Sequence, residues 1–214
     1  VGVGEQSLIH DEVSIYLGHR VEEARRDPST NEKVLAVVDL DGNRAELSFD
    51  AVLVAVGRTP NVENLGLEAA RVAFGPSGVR VDDHLRTTNR AIFAAGDVGS
   101  AFRFTHAADA LARIAVQNAL FLGRARSSSL VIPWCTYTDP ELARVGISAE
   151  QAEQRGIAVT SFVQPFSGVD RSILDGNTRG FARVLVKRGT DRILGATIVG
   201  EHAGELISQV TFAM

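Results

Sequence analysis

The sequence predicts an α/β region followed by an α+β domain, in which an antiparallel sheet packs with helices. Two apolar stretches, Asp50–Gly57 and Ala91–Ala95, each end at a glycine boundary. Such continuous apolar runs are typical of strands that are buried on both faces of an α/β sheet. From about residue 128 onward, short alternating segments and turn signals replace these runs, which indicates a separate α+β domain.

The first fifty residues are predicted to form a meander without a complete core of their own. Strands are expected at Val13–Leu17, Lys33–Leu40 and Arg44–Phe49, and Asp41–Asn43 is a hairpin signal between the last two. The polar segment Arg25–Asn31 has the chemistry of a turn. We expect the residues 1–50 to be the end of a larger domain.

A helix is predicted after the second apolar run. Its apolar residues recur with the helical period and are Ala107, Ala110, Leu111, Ile114, Ala115, Phe121 and Leu122. Thr105 is the expected N-cap, and Gly123 is placed to end the helix.

The C-terminal region is predicted to contain five strands and a capped helix. The strands are expected at Trp134–Thr138, Ala143–Ile147, Val159–Val163, Phe181–Lys187 and Ile193–Val199. Ser148 and Gln151 have the spacing of a capping box, and that helix is expected to end at Gly156. A last apolar helical stripe, from Leu206 to Met214, has no capping signal, so we expect this helix to be cut in mid-pattern.

Composition excludes several classes of function. The chain has 214 residues and a net charge of −4, so a nucleic-acid partner is not expected. No apolar run approaches the roughly 18 residues of a membrane helix, and Val1–Glu5 does not begin a signal peptide. Cys135 is the single cysteine; we expect it to be a core residue of a protein in the reducing cytoplasm. The histidines and Cys135 lack the spacing of metal ligands, so no metal site is predicted.

The residues that suggest a cofactor site follow the second apolar run. Gly96 permits close approach of a ligand to the backbone, and Asp97 lies where open α/β sheets bind ligands. The helix that starts near Thr105 and His106 offers free N–H groups and a positive dipole end to an electron-rich ring. Each signal alone is weak, because Gly-Asp is more often a turn and such a histidine is more often solvated.

A series of motifs resembles the pyridine nucleotide–disulfide oxidoreductases. Its members, in order along the chain, are Ala55–Asn61, Gly78–Asp82 with Leu85–Thr87, Thr87–Asp97, Phe104–Ala107, Tyr137–Glu141 with Val145–Gly146, Ile193–Ala196 and Gly204–Ile207. The resemblance covers nearly the whole chain and is weak only for residues 1–50. It implies three regions: the end of an NAD(P)-binding domain (1–50), the C-terminal part of a Rossmann-like FAD-binding domain (51–127) and a dimerisation domain (128–214).

The resemblance also implies roles for particular residues. Asp97 would hold the ribityl or ribose hydroxyls of FAD, and Gly96 would lie against its phosphate region. Thr105, His106 and Ala107 would face the pyrimidine edge of the flavin. Gly57 and Arg58 would lie near the crossover of FAD and nicotinamide. Val56 stands where the family usually has threonine, so a hydroxyl contact there is lost.

The catalytic residues of the family are not found in this sequence. The glycine fingerprints for FAD and NAD(P)H, the redox cysteine pair and the final His-Pro segment with its glutamate are all missing, and His202 lies in a different motif. We therefore assign no catalytic residue and expect the chain alone to be inactive.

The resemblance is strongest to mercuric reductases, through Asp170–Arg171 and Asp175–Thr178. It implies an enzyme that transfers electrons from NAD(P)H through FAD to a disulfide or a thiol-bound metal, and a homodimer formed through residues 128–214. A dihydrolipoamide dehydrogenase is the alternative within the family. For the chain alone, the alternative is a non-catalytic dimerisation module.

Overall fold

The computed structural model describes residues 2–121 and 123–214. The described residues fall into two compact units, which divide between Gly57 and Arg58, and each unit is described by itself. None of the described helices combines the length and the hydropathy that crossing a membrane requires.

The first unit contains a helix and a three-stranded antiparallel sheet. Helix α1 spans Gly2–His10, and strands β1 (Arg20–Arg26), β2 (Lys33–Val38) and β3 (Arg44–Ser48) lie side by side in that order. The predicted hairpin of β2 and β3 is confirmed: the Asp39 carboxylate accepts hydrogen bonds from the Asp41 and Asn43 backbones and closes the turn.

Two predictions about the first unit are wrong. Val13–Leu17 is not a strand, because it follows α1 in a turn-rich connection and no described strand pairs with it. Asp50–Gly57 is not a strand either; Leu53 and Val56 are each 91% exposed. A strand buried on both faces needs hydrogen-bonding neighbours on both edges, and among the described residues none pairs with this segment.

The second unit begins with turns and a short hairpin. Strands β4 (Phe74–Gly75) and β5 (Gly78–Val79) form the hairpin, and a short 3₁₀ helix spans Gly96–Val98. The predicted strand Ala91–Ala95 is wrong: it makes a single bridge, from Phe93 to Arg86, and otherwise bonds in turns.

Helix α2 spans Thr105–Leu120 and confirms the predicted apolar stripe in its central turns. Ala107, Leu111 and Ile114 are buried, and the last two pack with Leu85. Phe121 is exposed and Leu122 lies outside the described residues. Phe104, not Thr105, is the N-cap residue, and no side chain caps the helix there. The Thr105 backbone has already adopted the helical conformation, which removes it from the capping position.

The C-terminal part of the second unit is an antiparallel sheet, as predicted. Its strands are β6 (Trp134–Thr136), β7 (Glu141–Gly146), β8 (Val159–Pro165), β9 (Phe181–Lys187) and β10 (Ile193–Gly200), in the order β6-β7-β10-β9-β8. The pairs β6–β7, β8–β9 and β9–β10 join strands that follow each other in the chain, whereas β7 pairs with β10 across α3, β8, α4 and β9. This pairing lets alternating apolar side chains form one buried face.

Three helices accompany this sheet: α3 (Ala149–Gln154), α4 (Asp170–Leu174) and α5 (Ala203–Ala213). The capping box of Ser148 and Gln151 is confirmed, with both reciprocal hydrogen bonds present. Helix α5 packs on β7 and β10 and buries Ile207 at the centre of the core. Cys135 lies half-buried at the edge of that core, and His202 is exposed at the start of α5, as expected.

Candidate functional site

An ion pair joins two of the predicted cofactor residues. The Arg58 Nη1 atom lies 3.1 Å from the Asp97 Oδ2 atom, although the two residues are 39 positions apart in the chain. Arg58 also donates a hydrogen bond from Nη2 to the carbonyl oxygen of Arg103. The guanidinium thus fixes Asp97 to the segment that leads into α2 and leaves the other carboxylate oxygen available as an acceptor.

Gly96 places Asp97 against the first turns of α2. Its φ of +77° lies in the left-handed region that favours glycine, and a Cβ atom there would lie 3.3 Å from the Ala108 Cβ atom. The glycine at position 96 therefore lets this turn lie close to helix α2. Gly57, the last residue of the first unit, also has a positive φ, of +107°, and a Cβ atom would meet nothing within 4 Å.

The start of α2 presents backbone donors that have no acceptor in the described part of the chain. Among residues 2–121 and 123–214, no hydrogen bond is made by the N–H groups of Thr105, His106 and Ala107. Ala107 is completely buried. A buried N–H without a partner is costly, so this helix start favours a ligand that carries hydrogen-bond acceptors.

The His106 side chain has a structural partner. Its Nε2 atom is 2.8 Å from the carbonyl oxygen of Pro133, and its ring stacks on Phe104 with 5.6 Å between the centroids. These contacts hold the strand that leads into β6 against the start of α2. The N–H group of His106, rather than its imidazole, is the part that is free to contact a ligand.

Arg103 is a residue of this site that the sequence did not reveal. Its Nε atom is buried and has no hydrogen-bond partner among the described residues. An arginine just before a helix carries no motif, so only the fold shows that this donor lies beside the Arg58 contact. Together, the orphaned donors and the Asp97 carboxylate match a ligand that has both acceptor atoms and hydroxyl groups.

FAD has this combination of groups. Its flavin carbonyls and phosphates can accept from the α2 N–H groups and Arg103, and its ribityl and ribose hydroxyls can donate to Asp97. The residues that are present therefore fit the cofactor. Among the described residues, no three His, Cys, Asp or Glu side chains are grouped as metal ligands.

Comparisons with known proteins identify the family. The family described as pyridine nucleotide-disulphide oxidoreductase matches residues 3–112, and the dimerisation domain of the same family matches residues 132–214. The chain therefore belongs to the pyridine nucleotide–disulphide oxidoreductase family, and the predicted fold class and enzyme parentage are confirmed. Members of this family in general use FAD and NAD(P)H.

Relatives of two kinds are similar to the chain. A mercuric reductase of Staphylococcus aureus is 36% identical over 178 residues, which are 83% of this chain and 32% of that protein. A dihydrolipoyl dehydrogenase of Thermus scotoductus is also 36% identical, over 174 residues, which are 81% of this chain and 37% of the relative.

Solved structures share the fold. The HOCl-induced flavoprotein disulfide reductase RclA of Escherichia coli superposes with a TM-score of 0.82 at 28% identity and covers 99% of this chain and 48% of its own. LpdA of Mycobacterium tuberculosis gives a TM-score of 0.83 at 25% identity, over 99% of this chain and 46% of its own. The chain thus spans about a third of the length of the two curated relatives and about half of these structures.

Proposed function

We propose that this chain is part of an FAD- and NAD(P)H-dependent oxidoreductase of the mercuric reductase type, which acts on a disulfide or a thiol-bound metal. The observation that carries the proposal is the convergence of Arg58, Asp97 and the open start of α2 within one unit. The mercuric reductase relatives and the segment Asp170–Thr178 support the choice of type.

We propose seven cofactor-binding residues, which are Gly57, Arg58, Gly96, Asp97, Thr105, His106 and Ala107. The Asp97 carboxylate would accept hydrogen bonds from cofactor hydroxyls while Arg58 holds it in place. Gly96 would keep α2 close enough for its N–H groups to reach the same ligand. When bound, FAD supplies the two-electron relay between NAD(P)H and the acceptor.

Besides binding the cofactor, the start of α2 would stabilise its reduced form. Its N–H groups and the positive end of its dipole stabilise negative charge, which accumulates on the flavin pyrimidine edge upon reduction. The adjoining Arg103 donor would act in the same direction. The chain's own contribution is therefore to orient the cofactor and to favour its reduced form.

Residues 128–214 are proposed to form a homodimer interface. The match of residues 132–214 to the family's dimerisation domain supports this proposal. Large apolar side chains remain exposed on this part of the chain, among them Tyr137, Leu174 and Phe212. Burial of such side chains against a second copy would supply the free energy of association.

A dihydrolipoamide dehydrogenase-type parent is the second candidate, because that relative has the same identity as the mercuric reductase. For the chain by itself, a non-catalytic dimerisation module is the other candidate. The proposed region boundaries, 1–50, 51–127 and 128–214, and the expected cytoplasmic location belong to the same proposal.

The test is a visible absorption spectrum of the purified chain, with the intact mass and the sedimentation coefficient measured on the same sample. A flavin band at the mass of this chain supports FAD binding by the chain itself. A colourless dimer of the same mass favours the dimerisation module. In both cases we expect NAD(P)H-dependent reductase assays on the chain to read zero, and measurable turnover would contradict that expectation.

A further inference from the structure

The second unit carries a cluster of arginines that the proposed FAD site does not use. Arg86, Arg124 and Arg126 line a cavity of about 410 Å³, and Arg80, Arg86 and Arg90 line a cavity of about 380 Å³. Arg86 belongs to both cavities, so the five arginines form one continuous surface, called here the basic face. It occurs on a chain whose net charge is −4.

The charge of the basic face is mostly uncompensated. Within residues 2–121 and 123–214, Arg80, Arg86, Arg90 and Arg124 have no carboxylate within ion-pair distance. Arg126 has one, the Asp83 carboxylate, at 3.9 Å. Five arginines against two carboxylates, Asp82 and Asp83, leave the face with a net positive charge, which attracts anions.

Two carboxylates accompany the arginines of the basic face, Asp82, which lines the smaller cavity, and Asp83, and both accept hydrogen bonds from other donors. Asp83 accepts hydrogen bonds from Ser127 and from the backbone and side chain of Ser128. The Asp82 Oδ1 atom accepts from two backbone N–H groups, those of His84 and Arg86, both at 2.9 Å. These hydrogen bonds hold both carboxylates in their local turns. The four arginines without an ion-pair partner among the described residues therefore remain available to a ligand.

A buried side chain holds the walls of the larger cavity together. The Asn118 Nδ2 atom donates to the carbonyl oxygens of His84 and Ala125, and its Oδ1 atom accepts from the Ala125 N–H group. The His84 ring adds a further bond to the Ala125 carbonyl oxygen. The segments that carry Arg86 and Arg124 are thereby fixed relative to each other, which lowers the cost of ordering them around a ligand.

We propose that the basic face binds a diphosphate, which Arg86 contacts together with arginines that line one or the other cavity. Both cavities have the size of small-molecule sites. Arginine, whose planar fork matches phosphate oxygens in pairs, supplies all five positive charges that define the face. The sharing of Arg86 between two cavities favours a diphosphate over a single anion.

The test is isothermal titration of the 214-residue chain with inorganic pyrophosphate, orthophosphate and citrate. Citrate, a tricarboxylate of similar charge to pyrophosphate, controls for charge alone. We expect saturable binding of pyrophosphate that is tighter than that of either other anion. Equal binding of citrate and pyrophosphate, or no saturable binding, would overturn the proposal.

Two variants locate the site. Arg86→Gln should weaken pyrophosphate binding at least about tenfold, which corresponds to about 1.4 kcal/mol, and the exposed Arg90→Gln should weaken it in the same direction. Arg155→Gln, an exposed arginine after α3, is the matched control and should leave the affinity unchanged. Equal weakening by the control would refute a specific site. Circular dichroism of each variant verifies folding, and Arg90→Gln keeps the test valid if Arg86→Gln unfolds.

Discussion

Replacement of Asn118 by alanine tests whether one buried side-chain amide stabilises the packing of α2 against the segments that contain His84 and Ala125. Asn118 is only 4% exposed and makes three hydrogen bonds, of 3.1, 2.9 and 3.0 Å, to His84 and Ala125. A hydrogen bond of this kind contributes a net of about 0.5–1.5 kcal/mol. The three together give an expected loss of about 1.5–4.5 kcal/mol. The His84 carbonyl and the Ala125 N–H would lose their Asn118 partner, which keeps the loss from falling lower, whereas the Ala125 carbonyl keeps its bond to the His84 ring.

The assay is urea unfolding followed by the fluorescence of the single tryptophan, Trp134, which reports on the second unit. Gln117→Ala, at the neighbouring exposed position of the same helix, is the control and should change the free energy of unfolding by less than about 0.5 kcal/mol. If Asn118→Ala behaved like the control, the three bonds would not fasten the helix and the reasoning would be refuted. The same variant should also weaken pyrophosphate binding at the basic face.

Three further predictions concern other contacts of the second unit. Glu141→Gln should speed alkylation of Cys135 by iodoacetamide, measured by mass spectrometry, because burial and then the nearby Glu141 carboxylate raise the pKa of the thiol; an unchanged rate would contradict the role of the carboxylate. Hydrogen bonds from the Ser128 backbone and hydroxyl lower the pKa of Asp83. The stability that Asp83 contributes is therefore present above the usual pKa of an aspartate and lost as the pH falls through the lowered value, so Asp83→Asn should flatten the acid limb of a pH–stability curve. Ile207→Ala should destabilise the second unit by about 2–5 kcal/mol in urea unfolding, because Ile207 is 2% exposed in the core.

The predictions for Asp83 and Ile207 each have a matched control. Asp191→Asn, at an exposed hairpin position, should leave the acid limb unchanged, and an equal effect of both variants would show that Asp83 has no special role. Ile173→Ala, at a site that is 54% exposed, should cost far less than Ile207→Ala. A similar cost at both sites would contradict the assignment of the core.

The individual strands of the antiparallel sheet could be predicted from sequence because turn residues or the Ser148 capping box bound short apolar segments. The pairing of β7 with β10 could not, since β8, β9 and two α-helices lie between them in the chain. Asp50–Gly57 shows the limit of this reasoning. Its apolar character indicates that the segment is suited to burial, but it does not tell which strands pair with it, and among the described residues none does.

The candidate site was predictable only in part for the same reason. The motif around Gly96 and Asp97 predicts a turn that would face a ligand, but the Arg58–Asp97 ion pair joins residues that no local pattern connects. Arg103 carries no signal at all. Asn118 did carry one: it falls on the buried stripe of α2, four residues after Ile114 and seven after Leu111, where a polar residue demands a buried partner.

The central claim is that Asp97 and the start of α2 form part of an FAD site. Amide nuclear magnetic resonance spectra of the ¹⁵N-labelled chain, titrated with FAD, test it directly because they detect even weak binding. We expect saturable shifts concentrated at Asp97, Thr105, His106 and Ala107, with β8 and β9 unaffected and with the shifts reduced in Asp97→Asn. An absence of saturable shifts, or shifts confined to other parts of the chain, would contradict the claim.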